Sequence, residues 1–360
     1  MMTAKSLEKT LKNKHKLSFK ENGEYKILFL SDIHYYAHGG DLRALEAVQK
    51  VVGDVMPDLV LWAGDGPCGA ESKADLIRVM TMFSEPMESR GIPWAVAHGN
   101  HAPITCHGMS VKEVQNVFEK QFSYCVSKHV KGIHGYSNFV LPIYSSKDPD
   151  RIALNVFSLD SGCDMSDINE GSLIPNVNIL EDVKFKNAYV RPTAHNFDIV
   201  RFDQLAWYWK VSEAVEKLNG KTPAIMFMHC PPHEAKLIQE NPEKTEMTGE
   251  FDERIRTGPI NSGLFATILQ RGDVIGLYYG HNHNNTAEGK LCGIRMGYVG
   301  SIGTNGYGVK KVDTYAEINS LRGARVLTFR EDDILNYSSE FLYAHNYVEY
   351  TEPIVAPEEE

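Results

Sequence analysis

Short apolar runs alternate along this chain with longer stretches in which apolar residues recur every third or fourth position. The first run, Ile27 to Leu30, reads as a strand buried on both faces. Asp41 to Val55 carries Leu42, Leu45, Val48, Val52 and Val55 at helical spacing and is closed by Pro57 and Asp58; Leu59 to Ala63 is a second buried strand. A helix over 73–89 and a strand over 93–97 repeat the pattern. Strand, helix, strand in this order predicts parallel neighbours joined by right-handed crossovers. Further on, the spacing predicts helices over 110–122 and 202–218 and strands over 152–159, 224–228, 274–279 and 325–329. Asn261 or Ser262 is placed to cap a helix that runs to Arg271.

Between these elements the pattern fades. A Gly-rich, aromatic stretch before Ser145 has no clear period, and residues 161–198 and 240–260 read as insertions, the second a polar surface loop. Residues 1–20 form a lysine-rich arm with Leu7, Leu11 and Leu17, either a short helix laid on the body or a frayed end. Residues 351–360 read as a disordered acidic tail. No repeat or compositional break divides residues 21–350, so one domain with insertions is expected.

Five of the expected strands end in polar residues that can bind metal. They are Asp32 and His34, then Asp65, then Asn100 with His101, then His229, and finally His281 with His283. In an extended backbone Asp32 and His34, two apart, point the same way and can reach one ion. Each residue also has a plain structural reading, as a turn former, a helix cap or a packed ring. In parallel α/β sheets, however, sites form beyond the carboxyl ends of strands, and five such steps in succession point to a metal centre.

Composition narrows the class. A chain of 360 residues with 42% hydrophobic and 23% charged residues is ordinary for a globular protein. The formal charge of −10 disfavours a nucleic-acid surface, and no apolar run approaches a bilayer span, so no membrane partner is expected. Six scattered cysteines without a C-x-x-C pair read as reduced thiols. With no apolar stretch before Ile27 to serve as a secretory signal, a cytoplasmic location is expected.

The order Asp-Ile-His, Gly-Asp, Gly-Asn-His, a lone His after a strand, and Gly-His-Asn-His resembles the calcineurin-like metallophosphoesterase superfamily, over roughly residues 25 to 310. Asn261 to Phe265, Arg271 to Val274 and Gly303 to Gly308 further resemble its purple-acid-phosphatase-like branch, which includes Dcr2-type phosphatases. True purple acid phosphatases use a tyrosine as an iron ligand, whereas here Asp-Ile-His has the ordinary pattern with His34. The resemblance implies an α/β fold of four layers, a β-sandwich flanked by helices (αββα), over a catalytic domain of residues 21–350. It implies one metal on Asp32, His34, Asp65 and His283 and another on Asp65, Asn100, His229 and His281, with Asp65 bridging.

The implied cofactors are two divalent or mixed-valence ions, for which imidazole and carboxylate ligands suit manganese, iron or zinc. Two such ions outweigh the two carboxylates, so the site wants an anion. The implied reaction is hydrolysis of a phosphomonoester by a metal-bridging hydroxide, with phosphodiesterase or nuclease activity on the same core as the alternative and a non-catalytic scaffold as a third reading. His101 resembles the family's catalytic histidine, and Ala102 stands where the family often has an acid. His38, His98, His233 and Arg256 lie in or near the motif loops without an assigned role.

Overall fold

The computed structural model describes residues 2–163, 198–258 and 260–353. The expected insertion at 161–198 and the acidic tail lie for the most part outside these residues. In chain order come α1 (Ala4–Leu11), β1 (Leu17–Ser18), β2 (Glu24–Leu30), α2 (Arg43–Val55), β3 (Leu59–Ala63), α3 (Lys73–Glu88) and β4 (Trp94–Ala97). Then follow α4 (Val111–Gln121), β5 (Phe139–Tyr144), β6 (Ile152–Ser158), α5 (Phe202–Asn219), β7 (Ala224–Met228), α6 (Ala235–Glu240) and α7 (Leu264–Arg271). The described chain closes with β8 (Val274–Tyr279), β9 (Glu288–Leu291), β10 (Ile294–Tyr298), α8 (Tyr315–Ile318), β11 (Gly323–Arg330) and β12 (Ser338–Tyr343).

The strands form two sheets. One has the order β12-β11-β2-β3-β4, and the other β1-β5-β6-β7-β8-β10-β9. The expected parallel neighbours are found inside each: β2, β3 and β4 are parallel, and so are β6, β7 and β8. Side-chain alternation explains why these strands are apolar throughout. Ile27 and Phe29 face the other sheet, whereas Leu28 and Leu30 lie under the helices. Ile225 and Phe227 likewise face inward while Ala224 and Met226 meet helices on the opposite side. Phe29 fills the middle, its ring centre 5.8 Å from Phe227 and 5.4 Å from Tyr278. Helices α2, α3 and α4 cover the five-stranded sheet, and α1, α5, α6 and α7 the seven-stranded one, giving the four-layer αββα sandwich.

Of the two readings of the N-terminal arm, the short helix laid on the body holds, while other local expectations change. The N-terminal arm is docked: α1 is capped by Thr3 and buries Leu7 and Leu11, and Leu17 pairs with β5. Lys128 holds the end of α1, its Nζ donating to Thr10 O at 2.9 Å and Lys12 O at 3.1 Å. The weak stretch before Ser145 hides β5, which lies between β1 and β6. At α7 the cap position is Gly263 rather than Asn261 or Ser262; Asn261 instead accepts the Gly263 N–H in the preceding turn, at 2.9 Å. The segment after α6 is not a detached surface loop, because Thr248 and Phe251 bridge to Glu288 and Asn285. Among the described residues, no helix is long and apolar enough to cross a membrane.

Candidate metal centre

The residues at the five strand ends meet between the two sheets. Asp32, His34, Asp65, Asn100 and His101 follow strands of the five-stranded sheet, and His229, His281 and His283 follow β7 and β8 of the other. The local backbone differs from the extended form expected of Asp32 and His34. Both are left-handed, with φ of 50° and 46°, as are Asp65 (46°) and His281 (74°). Residues with a Cβ pay steric energy there, and such strain gathers at functional sites. Hydrogen bonds fix the bend: Asp32 N–H donates to Gly64 O at 3.1 Å and Ile33 N–H to Asp65 O at 2.8 Å.

Two ligand groups result. In the first, His283 Nε2 lies 3.4 Å from Asp32 Oδ1, His34 Nε2 3.7 Å from the same oxygen, and the two ring nitrogens 3.0 Å apart. In the second, His229 Nε2 lies 3.1 Å from Asp65 Oδ2 and 3.0 Å from Asn100 Oδ1, with the His281 ring 5.1 Å from that of His229. Asp65 Oδ2 also sits 3.6 Å from His34 Nε2, so one carboxylate oxygen faces both groups. Ligands held about 2.1 Å from a common ion stand about 3–3.5 Å apart, and the spacing fits. Among the described residues Asp32 Oδ1 makes no hydrogen bond, although it is buried.

The surrounding groups aim these atoms. His229 Nδ1 donates to Ala63 O at 2.7 Å and His283 Nδ1 to Tyr307 O at 3.1 Å, which leaves each Nε2 facing the site. Asp32 Oδ2 accepts from Ser31 Oγ at 2.6 Å and from His281 N–H at 2.9 Å. Asp65 Oδ1 accepts the His101 N–H at 3.0 Å.

Electrostatics follow from this packing. Burial pushes both carboxyls up, but the His229 charge, with further help from His34 and other nearby histidines, outweighs it and holds both well below the usual range. Burial lowers His229, yet Asp65 and Asp32 raise it to about 9. His281 and His283 are lowered chiefly by burial. His101 is lowered by burial too, against the pull of Asp65. Its ring stands edge-on to His34 with centres 5.0 Å apart, at the rim of the site. The acid absent at Ala102 has no substitute bonded to that ring among the described residues; the Asp65 carboxylate lies within 4.8 Å of it.

All eight residues singled out at the strand ends are thus brought together. The unassigned motif-loop residues are not: His38 pairs with Asp75 at 3.1 Å, His98 is buried near Phe118, and His233 bonds Gly258 O at 2.8 Å. Two of them still come near: His98 lines a cavity with Asp65 and His101, and Arg256 lies 5.0 Å from the Tyr307 ring centre. Three supporting residues had no signal or only a partial one. Tyr307 stacks on His283 with ring centres 4.1 Å apart, and lies inside the glycine motif at 303–308. Asn282, inside Gly-His-Asn-His, accepts the Arg256 N–H at 3.3 Å. Buried Arg322 donates to Ser301 Oγ at 2.7 Å and Tyr307 O at 2.9 Å, and an Arg before a strand gives no hint of that.

The family model for calcineurin-like phosphoesterases matches residues 25–285. Probable inactive purple acid phosphatase 14 of Arabidopsis thaliana is 27% identical over 327 residues, which cover 82% of this chain and 74% of that protein. Phosphatase DCR2 of Saccharomyces cerevisiae is 24% identical over 289 residues, covering 74% of this chain but 45% of the yeast protein. A dimetal phosphatase from Danio rerio shares the fold at 11% identity, with a TM-score of 0.56 over 89% of this chain and 96% of that one. With the motifs, the four-layer sandwich and a match over most of its length, this chain belongs to the calcineurin-like phosphoesterase family.

Proposed function

We propose that this chain hydrolyses a phosphomonoester at a two-metal centre. Asp32, His34, Asp65 and His283 would hold one ion, and Asp65, Asn100, His229 and His281 the other, each ion being manganese, iron or zinc. The observation that carries this reading is the single Asp65 oxygen facing His34 on one side and His229 on the other. When bound, such ions supply Lewis-acid charge and an activated water. The chain's own residues do the rest. The Ser31 hydroxyl and His281 N–H hold Asp32 in one rotamer, and the Ala63 and Tyr307 carbonyls fix the His229 and His283 tautomers. His101, at the rim, can give a proton to the leaving oxygen or hold a phosphate oxygen.

A second reading has its own support, because relatives such as purple acid phosphatase 14 and purple acid phosphatase 29 of Arabidopsis thaliana carry "probable inactive" in their names. On that reading the centre binds metal without turnover. The deciding experiment compares p-nitrophenyl phosphate with bis-p-nitrophenyl phosphate, using protein loaded with each metal and Asp65→Asn as control. Preference for the monoester, with activity and metal content lost together in the variant, is expected. Preference for the diester overturns the monoester assignment, and two bound ions without turnover of either ester favours the non-catalytic reading.

A further inference from the structure

Beside the metal centre lies a cavity of about 370 Å³ whose walls include Arg254, Arg256, Lys310, Lys311, Glu253 and Tyr307. Tyr307 joins it to the site. Its ring stacks on His283 at an interplanar angle of 8°, and the Arg256 guanidinium and the Lys310 ammonium lie 5.0 and 5.9 Å from the same ring centre. The cavity therefore begins one aromatic ring away from a candidate metal ligand.

Its walls are tied to that ligand's own loop. Asn282 Nδ2 donates to Arg254 O at 3.1 Å, Asn284 N–H to Glu253 Oε1 at 3.0 Å, and Glu253 N–H to Asn285 Oδ1 at 3.0 Å. The charge balance is cationic, although the chain as a whole is acidic. Four basic side chains face two acids, an excess of two positive charges. Glu253 takes the Tyr307 hydroxyl at 2.8 Å and pairs with the Arg256 guanidinium at 3.8 Å, and Asp252 takes Asn284 Nδ2 at 3.1 Å. Two guanidinium forks and two ammonium groups around a cavity of this size match the oxygens of a phosphate group.

We propose that this cavity receives a second phosphate of the substrate, so that the preferred substrates are bisphosphates whose two groups are separated by a short spacer. The inference rests on the phosphomonoesterase reading for its scissile group and adds to it the class of molecule that is cleaved. Arg254, Arg256, Lys310 and Lys311 act as specificity residues, fixing the second phosphate while the first lies at the metal centre.

The test has two arms. In the first, metal-loaded protein hydrolyses butyl phosphate and butanediol bisphosphate, and the ratio of their kcat/KM values is read for the native chain and for the double variant Lys310→Ser, Lys311→Ser. A preference of about tenfold or more for the bisphosphate is expected, the yield of one charge-assisted contact, carried mainly by KM and collapsing toward unity in the variant. In the second, calorimetry measures binding of the non-hydrolysable butylphosphonate and butane bisphosphonate at low and high salt. Tighter binding of the bisphosphonate, weakened by salt and by the double substitution, is expected. Equal binding of the two phosphonates, or a preference untouched by the substitutions, overturns the proposal even when p-nitrophenyl phosphate is turned over. Failure of all turnover, with the bisphosphonate preference intact, defeats the hydrolase reading and leaves the anion pocket standing.

Discussion

At the scale of single residues, the metal-free site is a network of charges poised to exchange one proton for metal. Asp32 and Asp65 are held ionised, burial keeps His281 and His283 neutral, and His229 carries a proton up to about 9. Its folded value lies above the ordinary 6.5, so its charge stabilises the metal-free fold below that value, and the contribution is lost as pH rises through about 9. Metal must displace the same proton. Affinity should therefore rise roughly tenfold or more per pH unit from neutrality to that point, with about one proton released from His229 in addition to that lost by metal-bound water. Calorimetry in buffers of different ionisation enthalpy reads the count, and release of no proton at pH 7 would contradict the assignment of His229 as a ligand. His101 makes a separate prediction. As proton donor it must be protonated, and burial lowers its value in the free protein below the usual one, so kcat/KM should fall as pH rises through a point on the acid side of 6.5. His101→Ala should lose about 100-fold in kcat and lose that limb of the profile, with metal content kept. An unaltered profile would remove His101 from the reaction.

At the scale of elements, the glycine-rich loop after β10 shows how a motif becomes geometry. A Cβ on Gly303 would lie 1.8 Å from Ile33 O, a backbone atom between Asp32 and His34, and one on Gly306 would lie 2.4 Å from His283 Cε1. Both glycines let this loop close over the ligand turns. Gly303→Ala cannot be relieved by rotating a side chain, so it should cost about 1–3 kcal/mol of stability and lower metal content at once, measured by urea unfolding and metal analysis. Normal metal content in a fully stable variant would show that the loop does not clamp the site. These contacts also mark what was legible in the sequence. The apolar runs between helices located β2, β3, β4, β6, β7 and β8 because helices cover their outer faces, which leaves no polar alternation to confuse the reading. β5 was hidden by Pro142 inside the strand and by the irregular stretch before it. The β9–β10 hairpin turns on Cys292 and Gly293, both at positive φ, and Cys-Gly is not a sequence that announces such a turn. The convergence of Asp32 and His34 was right, but it comes from two left-handed residues rather than from an extended strand.

At the scale of the whole molecule, what alternation along the strands could not reveal was their division between two sheets, because burial on both faces looks the same in a single sheet and in a sandwich. That came from the motif resemblance, and it gives the site its mechanical character. One sheet supplies Asp32, His34, Asp65 and Asn100, and the other His229, His281 and His283, so the candidate ligands to each ion come from both. Already in the metal-free chain His229 Nδ1 reaches across to Ala63 O and His281 N–H to Asp32 Oδ2. Metal would add bonds between the same layers that form in the folded state alone, since unfolding separates residues far apart in sequence. Each ion present at about 100 times its dissociation constant should then stabilise the fold by about 2.7 kcal/mol, and chelation should lower the melting temperature by several degrees. Asp65→Asn, which removes the carboxylate shared by both groups, should reduce this gain by more than half. Scanning calorimetry of native and variant protein, each with and without manganese, reads the difference directly. An equal metal-dependent gain in the two would mean that the ions do not join the sheets through Asp65, and the two-metal assignment would fall with it.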